Sequence, residues 1–136
     1  NLLVRAVLPG SLQATALDII ARWQEEHILF APVLWRYEAT SAVSKAVHLQ
    51  GLSTVRAREA LKQLETLGIK EVQPDAAQMA LALAWTERLN RVAAYDSFYL
   101  ALAESLECDL WTADQRLHHA VNLPWVHCLQ TGDNET

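Results

Sequence analysis

Residues 95–114, YDSFYLALAESLECDLWTAD, decide the fold. Phe98, Leu100, Leu102 and Leu106, padded by Ala101 and Ala103, set apolar groups around most of a helix, which predicts a buried helix rather than a surface one. Residues 108–112 follow as a short apolar run, the mark of an interior strand. A helix packed antiparallel on the strand that follows it starts at the edge where that strand ends. Asp96 and Asp114 are therefore expected as neighbours at the carboxyl edge of the strands, where open α/β sheets bind ligands.

Upstream, residues 2–8 end at the turn signal Pro9-Gly10 and read equally as a short helix or a strand. Ser11 is expected to cap a helix over 12–26, with Leu12, Ala16, Ile19, Ile20 and Trp23 on one face. Residues 28–31 form a short apolar strand. Pro32 fits the first turn of the next helix, which carries Leu34, Glu38, Ser41 and Lys45 on one side and stops at Gly51. Glu38 thus stands near a helix start just after a strand, again at the carboxyl edge. Ser53 caps a helix over 54–67 that Gly68 ends, and 69–72 is a short alternating strand. Pro74-Asp75 opens another helix, whose core stripe is expected at Ala76, Met79, Ala80, Leu83 and Leu89. Beyond the deciding stretch come a short helix through Arg116, Leu117 and Ala120 and a last strand over 125–129. Strands alternating with helices predict an α/β fold with a mostly parallel sheet and helices on both faces.

With 136 residues, 51% of them hydrophobic, the chain is expected to form one compact domain over 1–130 with a loose polar tail at 131–136. A net charge of -5 gives no overall pull toward nucleic acid, so an RNA substrate would need a local basic patch and bound metal. Cys108 and Cys128 fall in predicted strands without CxxC spacing, which favours free buried thiols in a reducing, cytoplasmic setting. No run approaches the roughly 20 apolar residues of a membrane span.

Glu38, Asp96 and Asp114 come from three βα units and are expected at one edge. Carboxylates gathered there repel unless a cation offsets them, which points to a metal site. Oxygen donors with no His or Cys among them favour Mg²⁺ or Mn²⁺ over zinc. Asp75, by contrast, is read as a helix cap, and the adjacent His118 and His119 as solvated. Trp35 is assigned to the core or a subunit interface, and Trp23, Trp85, Trp111 and Trp125 to packing. Arg88, Arg91 and Arg116 either face solvent or line an acidic cleft and hold a phosphate backbone. Trp35, Val43, Val47, Leu49, Val55, Leu61 and Leu64 supply surplus apolar surface, which predicts a homodimer through the helices between 34 and 67.

Three segments, PVLWRYE at 32–38, AYDSFYLALA at 94–103 and TADQRL at 112–117, together resemble the PIN domain, in particular its VapC-like toxin branch, over nearly the whole chain. The resemblance implies a three-layer α/β/α sandwich, Mg²⁺- or Mn²⁺-dependent cleavage of single-stranded or structured RNA, a homodimer and a VapB-type antitoxin. It maps the family's internal Glu onto Glu38, its YD-motif Asp onto Asp96 and its T-x-D Asp onto Asp114, with Thr112 as the hydroxyl that helps order the site. On this reading Asp96 and Asp114 hold the metal, Glu38 binds it directly or through water, and Thr112 and Asn1 orient ligands. The family pattern opens with a hydrophobic strand ending in Asp, two residues before an Asn or Ser that Asn1 matches. A strand ending in that Asp is accordingly expected before Asn1, between the strands at 28–31 and 108–112, unless residues 2–8 are themselves that strand. The competing expectation is a PIN-like module that binds without cutting, based on three acids where the family has four and on the negative net charge.

Overall fold

Short strands and longer helices set the architecture of the computed structural model, which describes residues 2–129. The chain divides after Glu71 into two compact units.

The first unit runs α1 (Leu2–Val7), α2 (Gln13–Glu26), β1 (Phe30–Pro32), α3 (Leu34–Gln50), α4 (Thr54–Thr66) and most of β2 (Lys70–Val72), whose last residue begins the second unit, with β2 paired to β1. The undecided segment at 2–8 is a helix, and α1 buries Val4, Ala6 and Val7 as it packs on α2, α3 and α4. Ser11 does not cap α2. The cap position is Leu12, in helical conformation and without a side-chain bond, because a turn from Gly10 to Gln13 (N–H to O, 3.2 Å) already leads into the helix. Pro32 ends β1 instead of starting α3, a place a proline tolerates because it has no N–H to leave unpaired. Ser53 caps α4 as expected, accepting from the Arg56 N–H at 3.3 Å. Gly51 closes α3 at φ 69° and Gly68 follows α4 at φ 65°, left-handed values that penalise a Cβ. At Gly68 a Cβ would also stand 3.3 Å from the Gln24 amide, which donates to the Leu67 carbonyl and so ties α2 to the end of α4. Arg36 bridges α3 to Glu65 and Glu71, and its hydrogen bond, then its charge, hold the Glu65 carboxyl below the ordinary range. Trp35, 1% exposed, is core.

The second unit runs α5 (Ala76–Arg88), α6 (Tyr95–Ser105), β3 (Leu110–Thr112), α7 (Gln115–Val121) and β4 (Val126–Cys128). β3 and β4 are parallel, with Leu110 opposite Val126 and Thr112 opposite Cys128, as a crossover through α7 requires. The core gathers Trp85, Leu100, Leu117, Val121 and Val126, with Leu81, Leu89, Leu110, Leu123 and Trp125 packed against it. In α6, Ser97 and the run from Leu100 to Ala103 are buried, whereas Phe98 is half-buried and Leu106 exposed.

Several side chains fall elsewhere than expected. The buried face of α5 is Ala82, Trp85 and Thr86, while Met79 and Leu83 are 56% and 57% exposed and Ala76 and Ala80 face out. Both stripes of this helix are apolar enough to be core, and the polar partners of Trp85 and Thr86 decide between them. Trp111 is not packed inside. It is exposed on β3 and stacks on His127, the residue opposite it on β4, with ring centroids 4.6 Å apart. Cys108 is exposed just before β3 rather than buried in a strand, Cys128 is half-buried, and both are free thiols. Among the described residues the strands form two pairs, β1 with β2 and β3 with β4. Asn1 and residues 131–136 lie outside the described residues. Among the described residues no helix is long and apolar enough to cross a membrane.

The caps make a contrast that unfolding can test. Asp75 accepts the Gln78 N–H at 2.8 Å and caps α5, whereas Ser11 makes no such bond. Asp75→Ala should lower stability by about 1 kcal/mol in urea titration, and Ser11→Ala should leave it within a few tenths. Equal losses at the two sites would overturn the assignment.

Candidate active site

The turn after α5 builds one side of the site. Asn90 takes a left-handed conformation at φ 51°, and the N–H groups of Asn90 and Arg91 return to the carbonyls of Glu87 and Thr86, each at 3.0 Å. This is a Schellman closure, and asparagine is one of the few residues other than glycine that suit it. It fixes the backbone of Arg91, whose Nη1 donates to Asp96 Oδ2 at 2.9 Å. Asp96 lies in the first turn of α6, where unpaired N–H groups favour a negative charge. It is not a cap, since Ala94 holds the cap position and no side chain bonds there.

Behind Asp96, Ser97 faces α5. Its Oγ is 2.8 Å from Thr86 Oγ1, both residues are buried, and the Thr86 hydroxyl also donates to the Ala82 carbonyl at 2.7 Å. A hydroxyl has one proton, so with the Thr86 proton on Ala82 the bond between the pair is donated by Ser97. Trp85 Nε1 donates to Glu104 Oε2 at 2.7 Å. Adjacent residues of α5 therefore grip α6 at points about two turns apart.

The other carboxylate follows β3. α6 closes with Glu107 left-handed at φ 51° and with the Cys108 N–H on the Ala103 carbonyl at 3.0 Å, a tight exit that drops the chain into β3. α6 packs on β3, so the start of α6 lies toward the carboxyl end of that strand. There Thr112 Oγ1 accepts the Asp114 N–H at 3.0 Å, and Asp114 Oδ1 caps α7 by accepting from Arg116 N (2.9 Å) and Leu117 N (3.1 Å). Oδ2 of Asp114 takes no part in the cap. Asp96, at the start of α6, and Asp114, just after β3, both belong to the second unit, while Glu38 is half-buried on α3 of the first unit.

Among the described residues no group of three or more His, Cys, Asp or Glu side chains stands close enough to hold a metal ion. The chemistry of the donor set at the β3 edge, carboxylate oxygens without thiolate or imidazole, nevertheless fits a hard divalent cation. Of the three arginines expected near the site, Arg88 lies over the Trp85 ring at 4.7 Å and Arg91 is on Asp96. Arg116, exposed at the start of α7, makes no ion pair among the described residues. The rings of His118 and His119 are 5.5 Å apart and tilted; His119 is exposed and His118 half-buried.

Sequence reasoning missed Thr86 and Ser97. The available signal was a hydroxyl residue inside each of two otherwise apolar helices, where an unpaired hydroxyl is costly. Thr86→Val keeps the shape but leaves Ser97 buried without its partner, and should cost about 1 to 3 kcal/mol in urea unfolding. Unchanged stability would mean that the pair does not hold α6.

A PIN domain family profile matches residues 1–125. Ribonuclease VapC1 of Mycobacterium tuberculosis, from strain CDC 1551 / Oshkosh and from strain ATCC 25618 / H37Rv, is 37% identical over 100 residues, covering 74% of this chain and 73% of the relative. The α/β class agrees with the three-layer α/β/α sandwich of that family, and the motifs carrying Glu38, Asp96 and Asp114 lie within the matched span. The chain belongs to the PIN-domain family, in its VapC-like branch.

Proposed function

We propose that this chain is an endoribonuclease of the toxin class that cuts single-stranded or structured RNA with the help of Mg²⁺ or Mn²⁺. The 37% identity to a ribonuclease across about three quarters of both chains carries this reading. The pair of carboxylates at the β3 edge supports it. Asp96 and Asp114 would hold the ion, with Glu38 as the third acid and Thr112 and Asn1 as orienting groups. When bound, such an ion supplies a Lewis acid for the phosphoryl oxygens and an acidified water. The residues themselves set the stage: the α7 cap fixes Asp114 through Oδ1 and leaves Oδ2 for a ligand, and Thr112 holds the Asp114 backbone. Of the arginines, Arg116 is the best placed to meet a phosphate, since Arg88 and Arg91 are engaged within the unit. A VapB-type antitoxin and a cytoplasmic location belong to the same proposal.

Asp96→Asn keeps volume, deletes one charge and should abolish RNA cleavage that EDTA stops in the wild type. Its folded circular dichroism should be preserved, because Asp96 makes no cap bond. Cleavage at the wild-type rate would overturn the site assignment. If neither protein cuts RNA while both still bind it, the reading becomes a PIN-like module that binds without cutting.

A homodimer through the helices of the first unit completes the proposal. Trp35, Val43 and Leu64, part of the expected surplus, are consumed inside the fold. Tyr37, Leu49 and Val55 remain exposed on α3 and α4, an apolar set for a partner copy. Sedimentation at micromolar concentration should give a dimer, and Leu49→Glu with Val55→Glu should shift it to monomer. A wild type that sediments only as monomer would remove this part.

A further inference from the structure

Asp96 carries an ion pair that the proposed chemistry does not use. Its partner is held by backbone geometry: the Schellman closure of α5 places Arg91 by its N–H on the Thr86 carbonyl, and Thr86 in turn is bonded to Ser97, the neighbour of Asp96. Carboxylate and guanidinium are thus presented to each other across the connection from α5 to α6. Their bond is single and partly exposed, with Arg91 Nη1 on Asp96 Oδ2 at 2.9 Å and side-chain exposures of 30% and 45%.

We propose that Arg91 is a built-in counter-ion of Asp96 that a divalent cation must displace, so that guanidinium and metal occupy this acid by exchange. The inference rests on the reading of Asp96 as a metal ligand. Two cations on one carboxylate repel, and binding the ion while the pair stays closed would place them side by side. Opening the pair is easy, because ion pairs this exposed shift an equilibrium by no more than about fivefold. Only the side chain has to move, since the backbone of Arg91 stays on Thr86. In the metal-free protein the guanidinium offsets the Asp96 charge at the strand edge, which lets the acid persist there without an ion. Arg91 is therefore a positioning residue, and of the two sequence expectations for it, solvent or a phosphate backbone, neither describes its paired state.

The test is Mn²⁺ binding to the full chain without RNA, with free Mn²⁺ followed by electron paramagnetic resonance. Arg91→Gln should bind Mn²⁺ about two- to fivefold more tightly than wild type. Arg91→Met, a second neutral variant, should do the same. Arg91→Lys keeps the charge and should stay near wild type, and Asp96→Asn should lose the binding. If binding depends on Asp96 but the neutral variants bind no more tightly, the exchange is overturned and the metal assignment stands. If no variant and no wild type binds Mn²⁺, the metal reading falls and the exchange falls with it.

Discussion

The hydroxyl pair of Thr86 and Ser97, closed at 2.8 Å inside the second unit, is the contact on which the site depends. A buried hydroxyl without a partner costs about 1 to 3 kcal/mol, and Thr86, itself donating to Ala82, spares Ser97 that cost. Only one rotation of α5 about its axis brings them together. That rotation buries Trp85 and turns Met79 and Leu83 outward. Burying a Met or Leu gains about 1.5 to 3 kcal/mol, so the opposite rotation would have its own reward. It would also expose an indole able to bury roughly 150 to 250 Å² and leave Ser97 and Glu104 without their α5 partners, and the balance goes to the arrangement observed.

The same rotation sets the electrostatics of the strand edge. With α5 fixed on α6, the closure of α5 delivers Arg91 to Asp96. Asp114 is offset differently, by the two N–H groups at the start of α7. Each carboxylate has its own compensation within the fold, one from a guanidinium and one from helix-terminal donors. Repulsion between acids is therefore a weaker pointer to metal than their sequence spacing suggests, because the fold offsets each charge with its own groups. The proposal of a divalent ion rests on the family and its ribonuclease relative rather than on repulsion.

The corrections share one cause, competition between alternatives that are locally equivalent. Ser11 and Asp75 are both good capping residues, yet a turn from Gly10 makes the first redundant. Trp111 alternates with half-buried neighbours on β3, and its outward face is satisfied by stacking on His127 rather than by burial. The imidazole is in turn held by Asp109 at 2.9 Å. Cys108 belongs to the exit turn of α6, where the left-handed Glu107 ends the helix before the strand begins.

Periodicity, caps and stop signals determined much by themselves: the buried helix from Tyr95, the strand before Thr112, Asp75 and Ser53 as caps, Gly51 and Gly68 as stops, and the α/β class. These features are local, written within one or two turns of chain, and their physics needs no distant partner. Motif spacing also set Asp96 and Asp114 at the start and just past the end of one helix–strand unit, and the structure has a helix start and a strand end at those positions. What only the tertiary structure decided is which face of α5 is inside, that Arg91 closes on Asp96, and that Asp114 spends one oxygen on its helix. Each of these depends on a bond between groups on different elements or across a turn, and the apolar pattern of a helix with two core-like stripes carries no information about which hydroxyl will find a partner.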